Sequence, residues 1–316
     1  MYLIIISILF FLFYIIKRIY KNYCIRLNFN RLDAYFPRTL KWEKGLRIYK
    51  DAMPIFKTTS KKKRCLLLIG GYKDIPYVWD ELIRYFDILN IDYYAPRTHG
   101  SGRSFFQNST PADWTITYLE AIKILENQYE EIDIIALSAG CIIALYLSQF
   151  DYKCKINNII LCAPYLLEKP SLLTDLIFSS NISFLLDNLI RILIPYRIKT
   201  KSNGMNYVRE IYNQYNGKCD FYDIISYYET DRLLFKFKDI RPSNINANDI
   251  VILYTINDNV IGDIDKQKDI IENIFNKDIK MIKIPSNSNL ICGHVIIKES
   301  HEIIIDIINN IKNYLT

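Results

Sequence analysis

Glycine and proline are scarce in this chain, ten of each in 316 residues, and histidine is scarcer still, with three. The first two shortages accompany an excess of Ile, Asn, Lys and Tyr, which resembles an A+T-rich coding bias and makes Asn-x-Ser/Thr matches such as Asn108-Ser109-Thr110 uninformative. Seven cysteines are an odd number, with no CxxC and no Cys/His ligand spacing. That favours reduced thiols over a disulfide framework and argues against a structural zinc site; no metal or cofactor is expected. Cys65, Cys141 and Cys162 fall inside predicted core segments, as reduced thiols of a cytosolic compartment do. Disorder is excluded by a composition half hydrophobic and 14% aromatic. The length suits one large core with appendages.

The first sixteen residues carry no charged side chain. At helical rise they span roughly 24 Å, short of a hydrocarbon core of about 30 Å, but Ile19 and Tyr20 extend the run while Lys17 and Arg18 snorkel. A cleaved signal peptide is the competing reading. It needs basic residues before the apolar run and an A-x-A-like site after it, and neither is present. Residues 1–21 are therefore expected to be an uncleaved, single-pass membrane anchor. Between Lys17 and Lys50 stand ten Lys/Arg against Asp33 and Glu43, a local charge of +8 in a chain of +6, so the remainder is −2. The basic excess is thus concentrated next to the anchor, largely in a segment spanning 22–44. It predicts a cytoplasmic location for the rest and contact with anionic lipid, and it gives no support to a nucleic-acid partner. Lys61-Lys62-Lys63-Arg64, directly before an apolar run, reads as a solvated hairpin rather than a localisation signal.

From residue 45 onward, short apolar runs alternate with helical periodicity. Two strand-like runs flank Asp51-Ala52 between Leu46 and Thr58. Strands are predicted at Cys65–Ile69, Ile91–Ala95, Ile132–Leu137, Ile159–Cys162, Ile250–Tyr254 and Lys280–Ile284. Helices are predicted from Pro76 to Leu89, from Pro111 to Tyr129, from Ala139 to Phe150, from Ile264 to Phe275 and from Lys298 to Tyr314. Such alternation predicts an α/β fold, a mostly parallel sheet covered by helices on both faces. Between Pro164 and about Asp239 the pattern is helical only, over Leu172–Phe178, Ile182–Ile194 and Val208–Tyr215, as in a helical insertion late in the sheet.

The segment Glu131 to Phe150 joins a buried strand to a helix through Ala136-Leu137-Ser138-Ala139-Gly140. This Ala-x-Ser-x-Gly is one methyl away from the G-x-S-x-G nucleophile elbow, whose strained turn lifts the serine oxygen over the sheet edge beside a helix N-terminus. The pentapeptide alone also fits a serine capping a buried helix. The order of the remaining elements favours the elbow.

Gly70-Gly71-Tyr72 follows the first buried strand, Pro96-Arg97-Thr98-His99-Gly100-Ser101-Gly102-Arg103-Ser104 follows the next, and the Ser138 elbow follows the third. With these the chain resembles the α/β-hydrolase family from about Leu46 to Thr316. His-Gly-x of that family is Gly70-Gly71-Tyr72 here, and its P-x-x-x-G-x-G-x-S loop is matched at Pro96, Gly100, Gly102 and Ser104. The family's order of nucleophile, acid and histidine implies Ser138, Asp258 and His294. Asp258, in Tyr254-Thr255-Ile256-Asn257-Asp258-Asn259-Val260-Ile261, resembles the G-x-x-D-x-V-V turn; its alternative reading is a plain turn aspartate. Asp249 precedes the strand, while Asp263 and Asp265 lie too far into the next helix. His294 follows the last strand and Gly293, whereas His99 and His301 read as surface histidines. The resemblance also implies an oxyanion hole from the backbone N–H groups of Tyr72 and Ala139, and a cap formed by about 164–239. Gly70 stands where the family has histidine, which changes how that loop is held without removing an N–H donor.

By resemblance to the monoglyceride lipase and lysophospholipase branch, the expected substrate is a small acyl ester or lipid, hydrolysed through an acyl-enzyme. A general carboxylesterase or thioesterase is the neighbouring expectation. A catalytically idle, membrane-tethered scaffold is the alternative from another class, disfavoured because serine, aspartate and histidine all stand in order.

Overall fold

The computed structural model describes residues 11–16, 52–59, 63–72, 74–99, 101, 111–166, 247–255, 258, 264–275, 279–285, 297 and 301–315. Seven strands form one sheet: β1 (Ile55–Lys57), β2 (Arg64–Ile69), β3 (Tyr93–Ala95), β4 (Glu131–Leu137), β5 (Lys155–Cys162), β6 (Asp249–Tyr254) and β7 (Lys280–Lys283), in the order β1-β3-β2-β4-β5-β6-β7. Every pairing is parallel except that of β1 with β3. The helices are α1 (Asp80–Ile88), α2 (Pro111–Leu125), α3 (Gly140–Leu147), α4 (Ile264–Phe275) and α5 (His301–Leu315).

Both faces of the sheet are covered because both side-chain sets of the inner strands are apolar. Cys65, Leu67 and Ile69 of β2 face α2 and α3, together with Ile132, Ile134 and Ala136 of β4. Leu66 and Leu68, with Ile135 and Leu137, face α1 and α5 instead. The terminal helix docks through Ile303, Ile304, Ile307, Ile308, Ile311 and Leu315, an i, i+3/i+4 stripe that brings the end of the chain back beneath the middle of the sheet.

Element boundaries differ from expectation where a polar side chain intervenes. The helix expected from Pro76 starts as a 3-10 turn, Pro76–Trp79, before α1. It stops at Asn90, whose φ of 53° permits the bonds from Ile91 N–H to Phe86 O and from Asn90 N–H to Asp87 O. α2 ends four residues short of Tyr129, which leaves the helix so that its hydroxyl reaches Asp92 at 3.0 Å and Thr58 at 2.7 Å. β5 begins four residues earlier than its apolar run, because Asn157 and Asn158 are held in the sheet by Asp133 of β4. Arg64 belongs to β2 and pairs with Glu131 at 2.8 Å rather than to a solvated hairpin.

Residues 11–16 of the expected anchor are helical, with Phe11, Leu12, Phe13, Tyr14 and Ile16 all exposed. Among the described residues no helix is long and apolar enough to cross a membrane. The remainder of 1–21, the basic segment 22–44, the strand-like run before Asp51 and the cap beyond Leu166 lie outside the described residues.

Candidate active site

Parallel strands end on a common edge, and the loops that matter leave β2, β4 and β6 there. Ser138 is the residue after β4. Its φ is 52°, a left-handed conformation that costs a non-glycine residue on the order of 1–3 kcal/mol and persists only where surroundings impose it. Here β5 imposes it. The Ser138 N–H donates to Cys162 O at 2.9 Å, while the Ser138 carbonyl accepts from Cys141 N–H at 3.0 Å and Tyr165 N–H at 3.3 Å. The chain therefore reverses within two residues and enters α3 at Gly140.

Close approach explains the small residues. A Cβ at Gly140 would overlap the Gly70 carbonyl oxygen and lie 2.8 Å from Ile69 O, so α3 can press against the end of β2 only with glycine there. Ala136 is buried in the sheet among the core residues that face α2 and α3, and its carbonyl accepts the Cys141 thiol at 3.4 Å. Cys141, three residues past Ser138, is no rival nucleophile. Burial raises its pKa well above the thiol norm and pushes that of Cys162 up to about 12, so both remain protonated. With Cys65 and Cys154 they are free and buried.

Facing the elbow is the loop after β2. A methyl group placed on Gly71 would stand 3.0 Å from Ser138 Cβ, 3.2 Å from Leu137 O and 2.9 Å from Asp74 Oδ2, so this loop passes directly beside the serine. Its N–H groups are held by side chains. Gly70 N–H donates to the Tyr118 hydroxyl at 3.1 Å, and Gly71 N–H donates to Asp74 Oδ2 at 2.7 Å. Tyr118 is fully buried on α2 and shares a 2.6 Å hydrogen bond with Thr98 Oγ1; desolvation pushes its pKa up to about 12, keeping the phenol neutral. The Tyr72 ring packs edge-on against Trp114, with centroids 6.2 Å apart. Ala139, at the N-cap of α3, finds no acceptor for its N–H among the described residues.

Asp258 follows β6, one strand beyond β5 from the serine, and is buried at 7% exposure. His294 lies outside the described residues. His99, expected at the surface, is buried at 3%, because its loop folds inward so that its N–H reaches Thr117 Oγ1 at 3.3 Å. His301 is exposed, as expected, against Tyr85 at 3.0 Å. Asp74, Tyr118 and Thr98 were not anticipated. An aspartate three residues after Gly71 is a turn signal, whereas Tyr118 lies among apolar residues of α2 and gives none. Among the described residues no cluster of His, Cys, Asp and Glu is disposed to hold a metal ion.

No protein-family model matches the chain, and no curated protein matches it in sequence. Solved structures do match. A metagenome-derived lipolytic enzyme, of the pair LipS and LipT, aligns with a TM-score of 0.59 over 84% of this chain and 100% of its own, at 14% identity. A soluble variant of the monoglyceride lipase of Saccharomyces cerevisiae, in complex with a substrate analogue, gives 0.59 over 83% and 89% at 13% identity. The monoacylglycerol lipase of Paleococcus ferrophilus gives 0.59 over 85% and 100% at 14%. The chain has the α/β-hydrolase fold. At these identities the likeness is one of architecture. Within an α/β-hydrolase fold, Ser138 occupies the turn after a central strand and Asp258 the loop two strands further along.

Proposed function

We propose that this protein is a serine hydrolase of carboxylic esters, acting on lipids of the monoacylglycerol or lysophospholipid kind through Ser138, His294 and Asp258. The observation that carries the reading is the Ser138 turn: a positive φ held by backbone bonds to Cys162, Cys141 and Tyr165, beside the loop of Gly70-Gly71-Tyr72 and at the start of α3. His294 takes the Ser138 proton as Oγ attacks the ester carbonyl, and Asp258 fixes the imidazole tautomer and steadies the imidazolium. The carbonyl oxygen becomes an oxyanion facing the N–H groups of Tyr72 and Ala139, each such donor being worth about 3 kcal/mol of barrier. Collapse expels the alcohol, which receives the proton from His294. Water then repeats the sequence on the acyl-enzyme, releasing the acid and Ser138.

Support for a lipid substrate is of two kinds. Two of the similar folds belong to lipases of monoacylglycerols. Phe11, Leu12, Phe13 and Ile16 of the apolar N-terminal segment are exposed, which suits burial in a bilayer. With the basic run of 17–50 beside it, the positive-inside rule puts the hydrolase domain on the cytoplasmic face. Retention through alkaline carbonate washing, lost on deletion of residues 1–21, tests the anchor.

Activity is tested by fluorophosphonate labelling of the intact protein, Ser138→Ala and His294→Ala. Labelling confined to the intact protein supports the reading and leads to a panel of monoacylglycerols, lysophospholipids, short esters and thioesters. A folded protein that takes no label overturns it in favour of an idle scaffold.

A further inference from the structure

Two successive glycines make a poor frame for an oxyanion donor, since Gly70 and Gly71 have more backbone freedom than any other residues. Catalysis by hydrogen bonding to a developing charge needs donors already aimed when that charge forms. Something outside the loop backbone must therefore hold it. We propose that Asp74 and Tyr118 are positioning residues of the oxyanion hole, fixing the N–H groups of Gly71 and Gly70 so that the next donor along the chain, the Tyr72 N–H, is aimed at the reacting carbonyl. The inference rests on the ester-hydrolase reading and adds the side chains that make its hole rigid.

The geometry is closed on each side. Asp74 Oδ2 accepts Gly71 N–H at 2.7 Å, while Asp74 N–H donates to Gly71 O at 3.2 Å, so Gly71 and Asp74 are tied by both side chain and backbone. The Tyr118 hydroxyl accepts Gly70 N–H and shares its other hydrogen bond with Thr98, which couples the loop after β2 to α2 and to the loop after β3. A Cβ at Gly71 would clash with Asp74 Oδ2 at 2.9 Å and crowd Ser138 Cβ at 3.0 Å, so the loop is packed directly between the aspartate and the serine. Acceptance of Gly71 N–H requires an oxygen, not a charge. Asparagine at 74 retains one, and alanine does not.

The test compares wild type with Asp74→Ala, Asp74→Asn and Tyr118→Phe on an oxoester and its thionoester. Sulfur in place of the carbonyl oxygen is a poor hydrogen-bond acceptor, so a well-aimed hole favours the oxoester and a loose one discriminates less. Asp74→Ala is expected to lower kcat on the oxoester by about 10- to 100-fold with KM changed less than about threefold, and to shrink the oxo/thiono ratio by a similar factor. Asp74→Asn should recover most of both, and Tyr118→Phe should lose about tenfold in kcat. An unchanged oxo/thiono ratio in Asp74→Ala and Tyr118→Phe, or an Asp74→Asn as impaired as Asp74→Ala, overturns the inference. Thermal melting that matches wild type separates loop positioning from misfolding; a variant that fails to melt cooperatively is replaced by Asp74→Leu, similar in size and without an acceptor, for which the same loss of ratio is expected and an intact ratio overturns the proposal. A wild type that cleaves neither ester refutes the hydrolase reading itself, an outcome distinct from active variants with intact ratios.

Discussion

Strand β4 holds a buried aspartate near its start and leads into a serine just past its end, and the two are treated in opposite ways. Near its N-terminal end, Asp133 is fully buried on the face covered by α1 and α5, where its Oδ1 accepts Asn157 Nδ2 and Asn158 N–H, both at 3.0 Å, at a shift of register between β4 and β5. Arg64 Nε stands 3.5 Å from Oδ2. Just past its C-terminal end, the backbone of Ser138 is held by Cys162 O, Cys141 N–H and Tyr165 N–H. One site spends a side chain on holding the sheet together. The other is set by main-chain bonds that impose a left-handed turn on the serine. The difference teaches where strain sits in this apolar sheet: a buried polar side chain ties strands together at one end, and backbone strain is concentrated at the other, where the proposed nucleophile stands.

Breaking the reactive end has the largest effect. Ser138→Ala is expected to lower ester turnover by about four orders of magnitude or more while leaving urea unfolding nearly unchanged, as measured by parallel assays of hydrolysis and denaturation. Gly140→Val should break both fold and activity. Its Cβ overlaps the Gly70 carbonyl, and a backbone clash that neither α3 nor β2 can relieve costs about 3 kcal/mol or more, seen as a lowered urea midpoint.

The structural end is probed by pH. Desolvation raises the Asp133 pKa from 3.8 to about 6, against the lowering effects of Arg64 and the two asparagine donors. The folded state thus binds a proton more tightly than the unfolded chain, and this group's contribution to stability falls as pH rises from about 4 through about 6 and is flat beyond. The stability difference between wild type and Asp133→Asn should shift by on the order of 3 kcal/mol across that window, in favour of the Asn variant at neutral pH, measured by urea unfolding at closely spaced pH values. Smallest is the exposed Lys63–Glu130 pair just before these strands, at 3.3 Å. Glu130→Gln should leave the unfolding midpoint unchanged within error.

The same comparison explains what could be read from the sequence. Apolar runs and small residues report the sheet and the elbow directly, because β4 and α3 are built from them and Gly140 has no alternative. The α/β order from β2 to α5 was therefore legible, as was Ser138 at its junction. Side chains that serve other parts of the fold are not reported this way. Asn157 and Asn158 look like a loop until Asp133, 24 residues earlier, is seen to hold them in β5. His99 looks like a surface residue because nothing in its glycine-rich surroundings signals that Thr117 of α2 will take its N–H. Tyr118 is indistinguishable from core until its hydroxyl is found on Gly70.

The most direct measurement is peptide mapping of the phosphonylated protein by mass spectrometry. The account predicts one equivalent of adduct, on Ser138, formed at a rate that falls when His294 is replaced by alanine. An adduct on another residue, or a folded protein that remains unmodified, would contradict it.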